Sequence, residues 1–262
     1  MSPAPSLTVK DRLDPARAEA CAAVLSRPSP GDVLPPFWHH LHFWEVRPPA
    51  DLGRDGHIAK GVGLIPDLGL SRRMWAGGSL EWLHPLTLGR TAEKTTTLTE
   101  VTRKSGRSGP LALVGLDHEI TQDGRLCLRE RQDLVYREDP RPDAPVPVPQ
   151  QAGCAPLEEE RVFEPVTLMR YSGLTMNGHR IHWDEAYARN VEGHAGLVVH
   201  GPLLAEGLID LATRNLGPLK AFDYRATAPA IAGEVLSFCL DGTAAFVRGA
   251  NGRLCMTARV TA

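Results

Sequence analysis

Several features are absent from this chain of 262 residues, and each absence excludes a class of protein. The five cysteines form no Cys-x-x-Cys pair, and no apolar run of about 18 residues is long enough to span a bilayer. The N-terminus lacks a basic segment followed by an apolar one, so we expect a cytoplasmic protein with reduced thiols. The formal net charge of −2 provides no global field that would attract nucleic acid or an anionic membrane.

Three common catalytic motifs are also missing. The sequence contains no Gly-x-Ser-x-Gly elbow, no phosphate-binding P-loop and no Gly-x-Gly-x-x-Gly turn, so serine hydrolase, P-loop and Rossmann functions lack support. His39, His40 and His42 suggest a metal site by their spacing, but no acidic or cysteine ligand set accompanies them, and the neighbouring aromatic residues favour packing. We therefore predict no metal and no cofactor.

A proline-rich stretch divides the chain. It contains Pro140, Pro142, Pro145, Pro147, Pro149 and Pro156, which exclude both a helix and a central strand. The predicted organisation is an N-terminal domain over 1–138, a linker over 139–160 and a C-terminal domain over 161–262.

The two halves share a local pattern. Asp123-Gly124 and Asn251-Gly252 are each followed by Arg-Leu-Cys, and each lies between alternating apolar segments. Asp-Gly and Asn-Gly pairs in that context are typical of tight β-hairpin turns. The repeat predicts two related antiparallel β units.

One helix is predicted in the second half, and its two ends are marked by proline and glycine. Pro202 suits a first helical position and Gly217 suits a C-terminal cap, while the apolar residues between them cover most of the circumference, which indicates a buried helix. A long sheet wrapped around one buried helix is the hotdog architecture. The predicted fold class is therefore α+β, a tandem (double) hotdog, with residues 35–44 as the candidate for the central helix of the first half.

The segment before this helix concentrates four of the ten histidines: His179, His182, His194 and His200. Asp184 is a suitable N-cap for a short helix after His182. Asn177 and His182 stand five residues apart, as do Asp and His in the Asp-x-Asn-Pro-x-His motif of the MaoC-like hydratase and dehydratase family, which this segment resembles. The alternative is that both residues only satisfy loop backbone groups.

A narrower resemblance covers nearly the whole chain. The loop from Asn177 to His182 reads Asn-x-His-Arg-Ile-His, as in the two-hotdog mesaconyl-C4-CoA (3-methylfumaryl-CoA) hydratases and the mitochondrial-type 3-hydroxyacyl thioester dehydratases. The first half is similar to the same group over LPPFWHHLHFWE, LGRDGHIAKGVGLIPDLGLSRRMWAGGSLEWLHPLTLG, VTRKSGRSGPLALVGLDHEI and ERQDLVYRE. This resemblance implies a lyase that adds water reversibly to a short enoyl-CoA, and the acyl group expected is a branched dicarboxylic one such as mesaconyl-C4-CoA or itaconyl-CoA.

Hydration of a conjugated thioester needs a base, a proton for the α-carbon and a donor to the enolate oxygen. We assign His182 as the general base and acid, because its ordinary pKa is about 6.5. Asn177 would hold the water or the thioester, and the free N–H of Gly201 at the helix start would polarise the thioester oxygen. No comparable Asn/His loop precedes the candidate helix of the first half, so one active site per chain is predicted.

Other residues are candidates for contacts with the acyl group or CoA. Arg180 is a candidate anchor for an acyl carboxylate, or it pairs with Asp184 or Glu185 and only holds the loop. The remaining candidates for substrate or CoA binding are His179, His200, Arg72, Arg73, Lys104 and Arg107.

Alternative functions remain open at this stage. They are dehydration of 3-hydroxyacyl-CoA or acyl carrier protein thioesters, thioester hydrolysis, and a binding module without catalysis. The partner expected is an acyl-CoA substrate, with neither nucleic acid nor membrane, and the chain is predicted to be a monomer of two hotdogs or a homodimer.

Overall fold

Ten strands form one antiparallel sheet in the computed structural model, which describes residues 4–106, 109–139 and 148–262. The strands of the first half are β1 (Ser6–Arg12), β2 (Arg72–Trp82), β3 (Thr91–Gly106), β4 (Gly109–Gln122) and β5 (Arg125–Arg137). Those of the second half are β6 (Leu157–Val162), β7 (Ala221–Ala226), β8 (Val235–Asp241), β9 (Ala244–Arg248) and β10 (Leu254–Thr261).

Four α-helices lie between the strands of the described residues. They are α1 (Pro15–Val24), α2 (Pro165–Leu174), α3 (Glu185–Asn190) and α4 (Gly201–Leu216). Short 3₁₀ turns cover Trp38–Leu41, Pro49–Asp51, Arg180–His182 and Ala250–Gly252. Each of α1, α2 and α4 has a proline in its first turn, where a missing N–H leaves no hydrogen bond unmade.

The two halves repeat one topology, which confirms the prediction of two related β units. The strand order is β1-β3-β4-β5-β2-β7-β10-β9-β8-β6, so the second half mirrors the first about the β2–β7 junction. Asp123 and Gly124 connect β4 to β5 with φ of 51° and 75°, and Asn251 and Gly252 precede β10 with φ of 59° and 76°. Positive φ at both residues explains why Asp/Asn-Gly recurs at these two positions.

Small residues allow the two halves to join. Strand β2 lies between β5 and β7, and a Cβ atom at Gly78 would overlap the carbonyl oxygen of Arg131 and approach the hydroxyl of Tyr224. The pairing of β2 with β5 is irregular between Trp75 and Gly77, where the indole of Trp75 stacks on the ring of Tyr224 at 4.4 Å. The junction thus places Trp75 of the first half beside the start of α4.

Helix α4 is the buried central helix that the sequence predicts. Gly217 ends it with φ of 89° and donates its N–H to the carbonyl of Thr213, as expected of a C-terminal glycine. The core side chains that were predicted from the apolar pattern are all buried: Leu203, Leu204, Leu208, Ile209, Leu211 and Ala212. Burying six such side chains removes a large apolar surface from water, which is the main stabilising contribution of this helix.

The helix predicted for residues 35–44 of the first half is wrong. Only the single 3₁₀ turn Trp38–Leu41 forms there, because Phe37 and Phe43 on either side adopt φ of 73° and 61°. Such left-handed residues end a right-handed helix. Phe37, Trp38 and Phe43 are nevertheless buried in the main core, as the packing interpretation predicts, whereas Trp44 is half-buried and outside it.

Two further predictions concern the chain as a whole. Strand β6 begins at Leu157, inside the stretch predicted as linker. Residues 140–147 of that stretch lie outside the described residues. The division of the chain at 138 and 161 therefore stays a prediction. None of the helices in the described ranges combines the length and the apolar character needed to span a membrane.

Candidate active site

The loop after α2 is shaped by the side chain of Asn177. Its Oδ1 accepts the backbone N–H of His179 at 3.0 Å, and the chain then forms the 3₁₀ turn Arg180–His182. Asp184 caps α3 by accepting the N–H of Tyr187 at 3.0 Å, which confirms the predicted N-cap. With its oxygen engaged in the turn, the Asn177 amide retains its N–H₂ group as a donor.

His182 is buried with its tautomer set by the backbone. Its Nδ1 lies 2.7 Å from the carbonyl oxygen of Val198, and since a carbonyl only accepts, Nδ1 carries the proton and Nε2 has a free lone pair. Burial, together with the neighbouring His179, lowers the pKa of His182 to about 3. The ring is therefore neutral at physiological pH, the form that a general base requires.

His200 lies against His182 rather than in an open site. The two rings stack at 3.6 Å, and the Nε2 of His200 lies 2.8 Å from the hydroxyl of Ser172. His200 is fully buried, and burial holds its pKa well below the ordinary value. His200 thus supports the ring of His182 from its buried side, and the predicted contact of His200 with substrate stays a prediction.

His179 is fixed by a buried carboxylate. Glu192 is only 4% exposed. Its Oε1 is 3.2 Å from the Nε2 of His179 and 3.3 Å from the hydroxyl of Tyr187. Burial alone would raise the pKa of Glu192, but hydrogen bonds from His179 and His194 and the charge of Arg72 hold it below its ordinary value. Because an ionised carboxylate only accepts, the Nε2 of His179 carries a proton and donates it to Glu192.

The candidate cations have different positions. Arg180 donates twice to Asp184, at 3.1 and 2.6 Å, and its guanidinium lies 4.3 Å from the centroid of Tyr187. These contacts support the alternative in which Arg180 holds the loop. Arg72 donates to Glu192 at 3.3 Å, so it also belongs to the support of the site. All three guanidinium nitrogens of Arg180 are engaged, the third by the carbonyl of Arg54, whereas only the Nε of Arg72 is.

Arg73 and Lys104 differ from these two. Arg73 donates to the carbonyl of Ile58 at 3.0 Å, and its Nε is buried without a partner among the described residues. Lys104 is exposed near the tip of the β3–β4 hairpin, in register with Leu111. Arg107 lies outside the described residues, so its predicted contact with CoA remains a prediction.

A loop of the first half completes the site, and sequence reasoning missed it. A Cβ atom at either Gly56 or Gly178 would overlap the carbonyl oxygen of the other, so the two backbones pass in close contact. The backbone carbonyl of Asp55 accepts the N–H of Arg180 at 2.9 Å. The imidazole of His57, in the same loop, lies 4.8 Å from that of His179. The glycine of each loop was the one available signal, because glycine permits such an approach.

Gly201 lies where the sequence predicts, at the first turn of α4. It follows His200 and precedes Pro202, and a Cβ atom on it would overlap the indole of Trp75. Trp75 therefore packs against this helix end, where Gly201 is half-buried. The N-terminus of a helix of this length provides unpaired N–H groups and a partial positive charge.

The first half contains a turn resembling the catalytic one. The N–H of His42 donates to the carbonyl of His39 at 3.0 Å, as that of His182 does to His179 at 3.1 Å. Arg27 follows a residue of positive φ, Ser26, just as Asn177 follows Met176, but the guanidinium of Arg27 pairs with Glu206 of α4. Because no α-helix follows this turn in the described residues, no helix N-terminus faces it.

The histidines of this turn have the acidic neighbour that sequence reasoning did not find. Glu130 of β5 lies 3.0 Å from the Nε2 of His39 and 3.2 Å from that of His40, and the three ligand atoms lie within 4.8 Å of one another. Glu130 also accepts from the amide of Gln132 at 2.9 Å. These hydrogen bonds account for the buried carboxylate, and the expected absence of a metal stays a prediction.

Comparison with solved structures defines the fold. HtdX from Mycobacterium tuberculosis is 17% identical with a TM-score of 0.71 and is matched over 98% of this chain and 99% of its own. A second protein of that organism, described as having a double hotdog fold, has a TM-score of 0.61, 15% identity and coverage of 99% and 96%. The fold is therefore a double hotdog, as predicted.

Sequence comparison defines the class. A mesaconyl-C(4)-CoA hydratase from Chloroflexus aurantiacus is 43% identical over 230 residues, 84% of this chain and 81% of that protein. The mitochondrial hydroxyacyl-thioester dehydratase type 2 of Schizosaccharomyces pombe is 27% identical over 80% of this chain and 78% of its own length. The chain is thus an enzyme of the hydratase and dehydratase class, a carbon–oxygen lyase.

The family follows from a match over most of the chain. The family model of hydroxyacyl-thioester dehydratase type 2 matches residues 37–232, a range that includes the catalytic loop and α4. This chain belongs to that family.

Proposed function

We propose that this enzyme catalyses the reversible addition of water to the double bond of a short enoyl-CoA thioester, giving a 3-hydroxyacyl-CoA. The acyl group proposed is branched and dicarboxylic, as in mesaconyl-C4-CoA, and the similarity to the Chloroflexus hydratase supports it. The observation that carries the proposal is the buried neutral His182, whose Nδ1–H is held by the carbonyl of Val198 and whose Nε2 is free.

In the proposed mechanism, His182 transfers both protons in turn. Nε2 removes a proton from water as the oxygen forms its bond to the β-carbon, and the electrons of the double bond move towards the thioester carbonyl. The protonated ring then delivers its proton to the α-carbon, which restores the neutral base. Water is added as a hydroxyl and a hydrogen, and neither a nucleophile nor a redox step is required.

Two groups stabilise the charge that develops between these transfers. The N–H of Gly201, at the positive end of α4, donates to the enolate oxygen, since Pro202 has no N–H to offer. The Asn177 amide donates to the attacking water, because its oxygen is engaged by the N–H of His179. Glu192 fixes the ring of His179 beside that of His182, so His179 would help to shape the water site.

The reverse reaction gives the second candidate function. Dehydration of a 3-hydroxyacyl thioester uses the same groups in the opposite order, and the similarity to the mitochondrial dehydratases favours testing it. The acyl chain separates the two functions, since one substrate carries a second carboxylate and the other does not.

The test follows loss of the conjugated enoyl-thioester absorbance with crotonyl-, longer enoyl-, itaconyl- and mesaconyl-C4-CoA, with a thiol reagent in parallel. We expect turnover of the dicarboxylic substrates without release of free CoA. Turnover confined to simple enoyl chains would move the function to fatty-acid-type dehydration. Thiol release would instead indicate hydrolysis and would refute the proposed lyase reaction.

A further inference from the structure

A cavity lies on the face of the first half where no central helix forms. It measures ≈ 190 Å³ and lies between the sheet and the loop before β2. Its lining residues are Leu7, Val9, Phe43, Glu45, Ile58, Ala59, Lys60, Val62, Gly63, Leu64, Ile65, Arg73, Lys94, Thr96, Leu116, His118 and Tyr136. Eight of these residues are aliphatic and seven are polar or charged, so the cavity combines apolar walls with several groups that could fix a polar ligand.

Three buried polar atoms of the lining residues have no hydrogen-bond partner among the described residues: the Nε of Arg73, the hydroxyl of Tyr136 and the Nε2 of His118. The Nε of Arg73 and the hydroxyl of Tyr136 are both buried and form no hydrogen bond, and Tyr136 as a whole is 1% exposed. The guanidinium of Arg73 lies 5.7 Å from the centroid of the Tyr136 ring, so the two donors are neighbours. A buried donor without a partner costs about 1–3 kcal/mol, which a ligand with acceptor oxygens would recover.

Lys94 adds a second positive charge. Its Nζ lies 5.6 Å from the centroid of Phe43, and among the described residues it forms no ion pair within 4.0 Å. Burial lowers the pKa of Lys94, against the opposing charges of Glu130 and Glu45. Glu45 is the one carboxylate among the described lining residues, and it is paired with Arg47. The lining therefore has an excess of positive charge.

The cavity adjoins the catalytic loop. Ile58, whose carbonyl accepts from Arg73, follows His57 in the chain. The ring of His57 lies 4.8 Å from that of His179, which in turn lies 5.5 Å from that of His182. The cavity and the ring of His182 thus lie on the two sides of His57 and His179, and the proposal below requires an acyl group to extend past these two rings.

We propose that the cavity binds the acyl group of the substrate and that Arg73, Tyr136 and Lys94 bind its free carboxylate. Arg73 and Tyr136 donate hydrogen bonds to the carboxylate oxygens, and Lys94 supplies a further positive charge. This inference rests on the proposed function and adds its specificity determinant, a role for which the guanidinium of Arg180 is not free.

The test compares substrates with and without the second carboxylate. In Arg73→Met, we expect kcat/KM for mesaconyl-C4-CoA to fall at least about tenfold, while kcat/KM for crotonyl-CoA stays within about twofold of wild type. Tyr136→Phe removes only a hydroxyl and should show the same selectivity with a smaller loss, so it serves if Arg73→Met fails to fold. Lys10→Met, on the exposed side chain of β1, is the matched control.

Binding separates this inference from the proposed function. Titration calorimetry with free mesaconate and crotonate needs no turnover. We expect mesaconate to bind wild type more tightly than crotonate and to lose that preference in Arg73→Met. Equal losses on both thioesters, or no loss on the dicarboxylic one, would overturn the assignment of Arg73. If wild type turned over no enoyl-CoA, the proposed function would fail, and mesaconate binding alone would decide for or against the carboxylate site.

Discussion

At the residue scale, the chemistry depends on which nitrogen of His182 carries a proton. The carbonyl of Val198 is an acceptor only, so it selects the Nδ1–H tautomer and leaves Nε2 as the base. The stacked ring of His200 and the buried surroundings exclude water from the other faces of the imidazole. A histidine in such a position is available as a base over a wide range of pH.

The first expected outcome concerns that range. Because the pKa of His182 is lowered to about 3, its neutral form persists well below the ordinary histidine pKa of about 6.5. We expect kcat/KM for hydration to show no acid limb with a midpoint near 6.5, and to decline only below about pH 5. A pH-rate profile checks this expectation, and a limb centred near 6.5 would mean that the ring titrates as an exposed histidine does.

The second outcome concerns Glu192 as a positioning residue. Glu192→Gln removes the charge that orients His179 and pairs with Arg72, so kcat should fall about 10- to 100-fold with little change in KM. Glu192→Asp should restore part of kcat. Glu185→Gln, which alters an exposed pair with Arg189, is the matched control. A fall in stability alone, with kcat unchanged, would limit Glu192 to a structural role.

At the element scale, the site forms where two loops and one helix end meet. The catalytic loop comes from the second half, the loop around Asp55 from the first, and the helix end from α4. Gly56 and Gly178 permit the close approach of the two loops, since any side chain there would overlap backbone atoms. The geometry of the site thus depends on contacts between the halves.

The third outcome tests this contact. Gly178→Ala should lower the free energy of unfolding by about 1–3 kcal/mol, because the Cβ atom meets the rigid carbonyl of Gly56, and it should lower kcat by displacing the loop. Gly173→Ala in α2 meets no atom within 4 Å and is the control, expected to be neutral or slightly stabilising. Urea unfolding and steady-state kinetics measure both effects. Equal behaviour of the two variants would contradict the proposed contact.

Elements with strong local signals were predictable, and those set by distant contacts were not. Pro202 and Gly217 mark the ends of α4 because capping is local chemistry. The absence of a helix near Trp38 depends on positive φ at two phenylalanines, which no local preference indicates. The role of Glu192 was equally hidden, because its partner Arg72 comes from the other half of the chain. The pairing of Glu130 with His39 was hidden for the same reason, because the two residues lie far apart in the sequence.

At the scale of the whole molecule, a duplicated unit has diverged in its two copies. The second half retains the central helix and the catalytic loop, whereas the first half replaces the helix with a loop that leaves a cavity. The continuous sheet through β2 and β7 joins the copies, so that each half contributes to one site. In the proposed function, this asymmetry lets the second half supply the base while the first half encloses the substrate.

The fourth outcome is the dependence of stability on pH. The pKa of His39, His42 and His118 is lowered to about 4 and that of His182 to about 3, in each case mainly by burial. Such a group binds fewer protons when folded than when unfolded, so its contribution is fully present above pH 6.5 and is lost as the pH falls towards the folded pKa. We expect a loss of about 1–2 kcal/mol per histidine between pH 7 and pH 5. Urea unfolding at several pH values measures it, and a constant free energy over that range would contradict the burial of these rings.

The most direct test of the central claim replaces the proposed base. His182→Ala and, as control, His84→Ala on the exposed surface should be assayed with mesaconyl-C4-CoA by loss of enoyl-thioester absorbance. Loss of a general acid and base should slow hydration at least about 100-fold in His182→Ala, with an unchanged circular dichroism spectrum, while His84→Ala retains the wild-type rate. A wild-type rate in the folded His182→Ala variant would contradict the account.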